Sequence, residues 1–191
     1  MQILQDPLVV KAVAYTIDRH ENHCKTGQPQ RRKYTGEPYY YHTFEVALFV
    51  ACWRQDPELI AAALLHDTVE DTFTTIEDIR REFGDRVARL VDDLTDVSKP
   101  SDGNRKARKA IDRAHTAAAH PDAKTIKLCD LMSNTRSIAQ HDPKFGVPYL
   151  EEKFLTLEVV KAEADPFVFA LAYAVAKQAA LDLGMKSAPW L

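Results

Sequence analysis

Apolar residues recur along this chain at helical spacing. Phe44, Leu48, Ala51 and Cys52 form one stripe, Leu59, Ala63 and Leu64 a second, and Val87, Leu90, Val91 and Leu94 a third. The pattern continues through Ile111, Ala114 and Ala118, then Ile126 and Leu128, then Phe154, Leu157 and Val160, and finally Phe167, Leu171 and Val175. No alternating run bounded by turn residues marks a strand. Asp-Pro pairs stand at Asp6-Pro7, Asp56-Pro57, Asp142-Pro143 and Asp165-Pro166. Asp caps a helix N-terminus and Pro suits the first helical position, so each pair is read as a helix start. Thr74-x-x-Glu77 fits a capping box, and Gly84 and Gly184 fit C-terminal stops. These signals predict an all-α chain of about eight to nine helices, near 7–25, 43–54, 57–70, 75–83, 85–96, 103–119, 122–140, 145–162 and 166–183. Loops are expected near 26–41, 97–102 and 141–148.

Composition narrows the class. With 191 residues, 46% hydrophobic and 28% charged, the chain has the length and balance of one ordinary globular domain. Its 25 Lys and Arg against 28 Asp and Glu give a net charge of −3, which argues against a broad nucleic-acid surface. No apolar run approaches the ~20 residues that span a bilayer, so no membrane partner is expected. The N-terminal MQILQDPLVV lacks a basic stretch followed by a long apolar one. Cys24, Cys52 and Cys129 are odd in number and far apart, against both a disulfide framework and a CxxC metal site. A cytoplasmic protein is expected.

Chemistry concentrates at Ala61-Ala62-Ala63-Leu64-Leu65-His66-Asp67-Thr68-Val69-Glu70-Asp71, where a wholly apolar stretch runs into four ionisable groups. On a continuous helix His66 and Asp67 lie about 100° apart, within reach of one ion, with Glu70 and Asp71 one turn further along. Burying such groups is costly without a cation or a water-filled cleft to receive them. His42 precedes another apolar helix, and Asp130 ends the run Ile126-Lys127-Leu128-Cys129, with Asn134 one turn later. Two imidazoles and two carboxylates make a mixed nitrogen and oxygen set that suits Mn²⁺, with Fe²⁺, Co²⁺ or Zn²⁺ as substitutes. Two basic clusters offer charge for an anion, Arg31-Arg32-Lys33 and Arg105-Lys106-Ala107-Arg108-Lys109. The second reads more simply as a solvated helix face. For Tyr39, Tyr40 and Tyr41 core packing is the simpler reading and base stacking the alternative.

The order His…His-Asp…Asp resembles the HD superfamily of metal-dependent phosphohydrolases. GEPYYYH, LLHDTVEDT and KLCDLMSNTR resemble, more closely, the hydrolase domain of the RelA/SpoT-like proteins, over roughly residues 10–160. The resemblance implies a single HD-type helical bundle over 1–191, with the C-terminal helices at 145–183 part of the same domain. It leaves no length for a synthetase or regulatory domain, so a stand-alone small alarmone hydrolase is expected. It implies metal ligands at His42, His66, Asp67 and Asp130 for one Mn²⁺ ion per chain, or another divalent transition metal. It implies water activation by Glu70 and Asp71, and nucleotide contacts from Arg32, Lys33 and Asn134. The implied reaction is Mn²⁺-dependent removal of pyrophosphate from the ribose 3′ position of ppGpp or pppGpp, leaving GDP or GTP. Alternatives are another nucleotide substrate, ppApp or NADPH, and a non-catalytic nucleotide-binding module. The oligomeric state, a homo-oligomer included, is left open. Two departures stand out: Thr43 follows His42 where the family usually has Pro, and Arg32-Lys33-Tyr34-Thr35-Gly36-Glu37-Pro38 differs in length from the commonest form. Thr43 is expected to cap its helix.

Overall fold

A computed structural model describes residues 2–185, all helix and connection, with no strand among the described residues beyond two isolated bridges. The end of the expected 1–191 domain, from 186 on, lies outside them. The helices are α1 (Pro7–Asn22), α2 (Tyr40–Trp53), α3 (Pro57–Leu65), α4 (Thr68–Asp71), α5 (Ile76–Phe83), α6 (Asp85–Leu94), α7 (Arg105–Ala118), α8 (Pro121–His141), α9 (Pro143–Val160) and α10 (Pro166–Asp182). All four Asp-Pro pairs open helices, each aspartate accepting from backbone N–H groups of the first turn. Gly84 ends α5 with φ 88°, a left-handed conformation that suits glycine, and Gly184 follows α10 with φ 70°.

Four expectations are corrected. The capping box is Thr75 with Asp78, one residue beyond Thr74 and Glu77, because Thr74 is buried and Thr72 Oγ1 donates to its hydroxyl. The expected loop at 141–148 is almost wholly helix, α9 starting at Pro143 and running through Pro148. The expected helix at 57–70 divides into α3 and α4. There the Thr68 hydroxyl donates to Leu65 O at 2.7 Å and takes that carbonyl from the backbone ladder. Thr43 lies inside α2 and does not cap it; its hydroxyl donates to Tyr40 O at 3.0 Å.

The helices divide into two units, meeting in sequence at Thr95 and Asp96. In the first, α3 is the central element, packed against α1, α2 and α6. Leu59 to Leu65 are all at most 2% exposed, which is why this stretch is apolar all round rather than striped. Each large side chain buried there contributes roughly 1.5–3 kcal/mol. The chain after α1 is stitched to the end of α4. Lys25 N donates to Asp71 O and Phe73 N to His23 O, both at 3.0 Å, and Cys24 pairs with Thr72 as an antiparallel bridge. The Lys25 ammonium donates to Val69 O at 2.9 Å and Glu70 O at 2.7 Å, meeting carbonyls that so short a helix leaves open. In the second unit α8 packs against α9 and α10, and α7 against α9.

Candidate metal centre

His42 lies in the first turn of α2, not before the helix as the sequence implied, and is 3% exposed. His66 and Asp67 form the two-residue joint between α3 and α4, so the polar pair falls where the apolar helix stops. One ligand atom from each of these three residues lies within 4.8 Å of the others. Asp67 Oδ2 is 3.0 Å from His66 Nε2 and 3.6 Å from His42 Nε2, and it accepts from the Tyr39 hydroxyl at 2.6 Å.

The tautomer of His66 fits a metal. Its Nδ1 lies 2.8 Å from Ala63 O, and a carbonyl only accepts, so Nδ1 carries the proton and Nε2 presents a lone pair. That lone pair faces a carboxylate oxygen, and two electron-rich atoms converge in this way when a proton or a cation shares the space. Burial pushes the Asp67 carboxyl up, but His66 and His42 outweigh it and hold the group well below the ordinary range. The donor set, two imidazole nitrogens and a carboxylate, suits a divalent transition metal. A cation held there would polarise a phosphoryl oxygen and lower the pKa of a bound water towards neutrality.

Glu70 and Asp71 ride on α4, both half-buried. Burial and then the negative charge of Asp67 push the Asp71 carboxyl up to about 6, against a hydrogen bond from Gln30 Nε2 to its Oδ2 at 2.8 Å. Arg32 and Lys33 lie on the turn before α2, which is closed by Arg32 N donating to Glu37 O at 2.8 Å and Gly36 N donating to Arg32 O at 3.0 Å. The Arg32 guanidinium sits 5.8 Å from the Tyr39 ring centre. Asp130 and Asn134 lie one turn apart on α8, in the second unit. Asn134 Nδ2 donates to Asp130 Oδ1 at 2.6 Å, and Lys127 Nζ is 3.3 Å from Asp130 Oδ2. The structure thus brings His42, His66 and Asp67 together and ties Asp130 to Asn134.

Sequence reading missed His20, Gln30 and Lys25, and gave Tyr39 a packing role without its hydroxyl contact to Asp67. The signal for His20 was present: it falls on the buried face of α1 in register with Val9, Ala12 and Thr16. Gln30, Lys25 and the Tyr39 hydroxyl act from loops and a helix edge, where no periodicity points.

The HD domain family matches residues 12–157. The chain belongs to that family. Among solved structures, this HD domain is similar to one described as a metazoan ortholog of SpoT that hydrolyzes ppGpp, with a TM-score of 0.76, 25% identity, and coverage of 91% of this chain and 96% of that one. It is 38% identical over 125 residues to the guanosine-3′,5′-bis(diphosphate) 3′-pyrophosphohydrolase of Aquifex aeolicus, covering 65% of this chain and 18% of that protein. It is 34% identical over 134 residues to the GTP pyrophosphokinase of Streptomyces coelicolor, covering 70% of this chain and 16% of that protein. The chain therefore spans under a fifth of the length of these two curated relatives. Among the described residues, no helix is long and apolar enough to cross a membrane.

Proposed function

We propose that this HD domain is a Mn²⁺-dependent 3′-pyrophosphohydrolase that converts ppGpp and pppGpp to GDP and GTP with release of pyrophosphate. The observation that carries the reading is the buried convergence of His42, His66 and Asp67, with Glu70 and Asp71 on the next turn of chain. The likeness to a ppGpp-hydrolysing structure supports the substrate class. In this reading Asp130 is the fourth ligand, and 1–191 acts as one domain. Glu70 and Asp71 hold the attacking water and take its proton. Arg32, Lys33 and Asn134 face the guanine nucleotide, the two cations by charge or by stacking on the base.

The test is pyrophosphate release from the purified protein with ppGpp, pppGpp, ppApp and NADPH side by side, with and without Mn²⁺. The expected result is release from ppGpp and pppGpp that depends on Mn²⁺. Turnover of ppApp or NADPH alone would replace the guanine nucleotide with those substrates, and binding without turnover would make the chain a nucleotide-binding module.

A further inference from the structure

Asp71 does not stand by itself. Its Oδ2 accepts from Gln30 Nε2 at 2.8 Å, and Gln30 Oε1 lies 2.7 Å from His20 Nδ1. Gln30 is pinned at its main chain as well: its N–H donates to His20 O at 2.9 Å and its carbonyl accepts from Tyr39 N at 3.1 Å. His20 is wholly buried on α1, its ring centre 5.1 Å from that of Tyr39.

The chemistry of the three groups fixes a direction. An ionised carboxylate only accepts, so the amide must turn its NH₂ towards Asp71. The amide oxygen then faces His20 and requires an N–H there, which places the imidazole proton on Nδ1. His20 Nε2 is buried and has no hydrogen-bond partner among the described residues, which agrees with its being the unprotonated nitrogen. Burial lowers the pKa of His20, which favours the neutral ring.

We propose that His20 and Gln30 are positioning residues: a one-way relay, from His20 Nδ1–H through the Gln30 amide to Asp71 Oδ2, that fixes the Asp71 carboxylate and leaves Oδ1 as the oxygen serving the reacting water. The inference rests on the reading of Asp71 as a group that acts on water. It explains why the turn before α2, a single glutamine in particular, is held so firmly to two separate helices.

Three variants of the full chain test it, with turnover number and Michaelis constant for ppGpp, Mn²⁺ affinity by calorimetry, and the ¹⁵N spectrum of the His20 ring as readouts. His20→Asp, assayed at a pH where the new carboxyl is ionised, keeps the size of the next variant but presents only acceptors, which turns the Gln30 amide round. His20→Asn places Nδ2 where Nδ1 stood and restores the donor. Gln30→Met keeps the length of the side chain and removes the amide. His20→Asp and Gln30→Met are expected to lower the turnover number about 10- to 100-fold, the range for groups that orient a site from behind. Michaelis constant and Mn²⁺ affinity stay within about threefold in both, and His20→Asn recovers most of the lost turnover. The wild-type spectrum shows the Nδ1–H tautomer. Equal turnover in His20→Asn and His20→Asp, wild-type turnover in Gln30→Met, or an Nε2–H tautomer at His20 overturns the relay. If His20→Asp does not fold, Gln30→Met and the spectrum still decide. If the wild type fails to turn over ppGpp, or Asp71→Asn keeps full turnover, the reading of Asp71 falls instead, and the spectrum alone judges whether the relay exists.

Discussion

The joint between α3 and α4 and the start of α7 both gather ionisable residues into a few positions, and they handle them in opposite ways. At the joint, two buried histidines and a carboxylate turn towards one point. At the start of α7, Arg105 and Lys109 meet carboxylates beside them. Arg105 makes a two-pronged pair with Glu152, at 2.8 and 2.7 Å, and Lys109 lies 2.5 Å from Asp96 and 3.3 Å from Asp112. Partial burial pulls the Lys109 ammonium's pKa down, but Asp96 and Asp112 outweigh it and raise it. A surface cation already met by carboxylates beside it asks for no ligand. A buried cluster whose donors share one focus asks for a cation.

The contrast can be broken most severely at Asp67. Asp67→Ala is expected to abolish metal uptake and bring turnover to background while circular dichroism keeps most of the helix signal. A supporting residue alone typically costs 10- to 100-fold at a metal site, and loss of a ligand should exceed about that range. Retained stoichiometric metal in this variant would remove the joint from the role of metal centre. Next in size is Glu70→Gln, expected to cut turnover by about 10²- to 10⁴-fold with metal affinity spared; near-wild-type turnover at saturating substrate would end the acid–base role. Lys33→Ala should raise the Michaelis constant by about 10- to 150-fold, more than it lowers turnover. If neither Lys33→Ala nor Arg32→Ala moves that constant, the substrate charge is met on the Arg105–Lys109 face and the contrast collapses. The smallest effect is expected from Arg105→Ala, which should change unfolding free energy by less than about 1 kcal/mol and leave the Michaelis constant alone, as exposed pairs usually do. Chemical denaturation together with steady-state kinetics measures both.

Much of this was legible beforehand, for identifiable reasons. An Asp-Pro pair states its meaning within two residues, since the carboxylate caps and the ring sets φ, and all four pairs did so. The unbroken apolar run into His66-Asp67 announced buried polar groups, and there His66 is buried, with one ligand atom each of His42, His66 and Asp67 within 4.8 Å of the others. What failed was continuity. Helical spacing ran on from α3 into α4, but the helices divide at His66-Asp67, where the Thr68 hydroxyl donates to the Leu65 carbonyl. Likewise the loop expected at 141–148 is helix, because Pro143 and the Asp142 cap had already started α9, which runs on through Gly146 and Pro148. Gln30 was illegible for a different reason: its two side-chain partners lie 10 and 41 residues away in sequence, and nothing local encodes such a meeting.

The stitching of the segment after α1 to the end of α4 bears on how this region breathes. A four-residue helix has no stability of its own, since one turn barely covers the cost of nucleation. The backbone that carries the α4 carboxylates is therefore held at its end by the bonds from His23, Cys24 and Lys25. Both sides of the stitch should open as one cooperative unit, and hydrogen exchange would show it. The amides of Lys25 and Phe73 would take up deuterium at a common rate, well ahead of those of Ala63 to Leu65, which would exchange only when the whole unit unfolds.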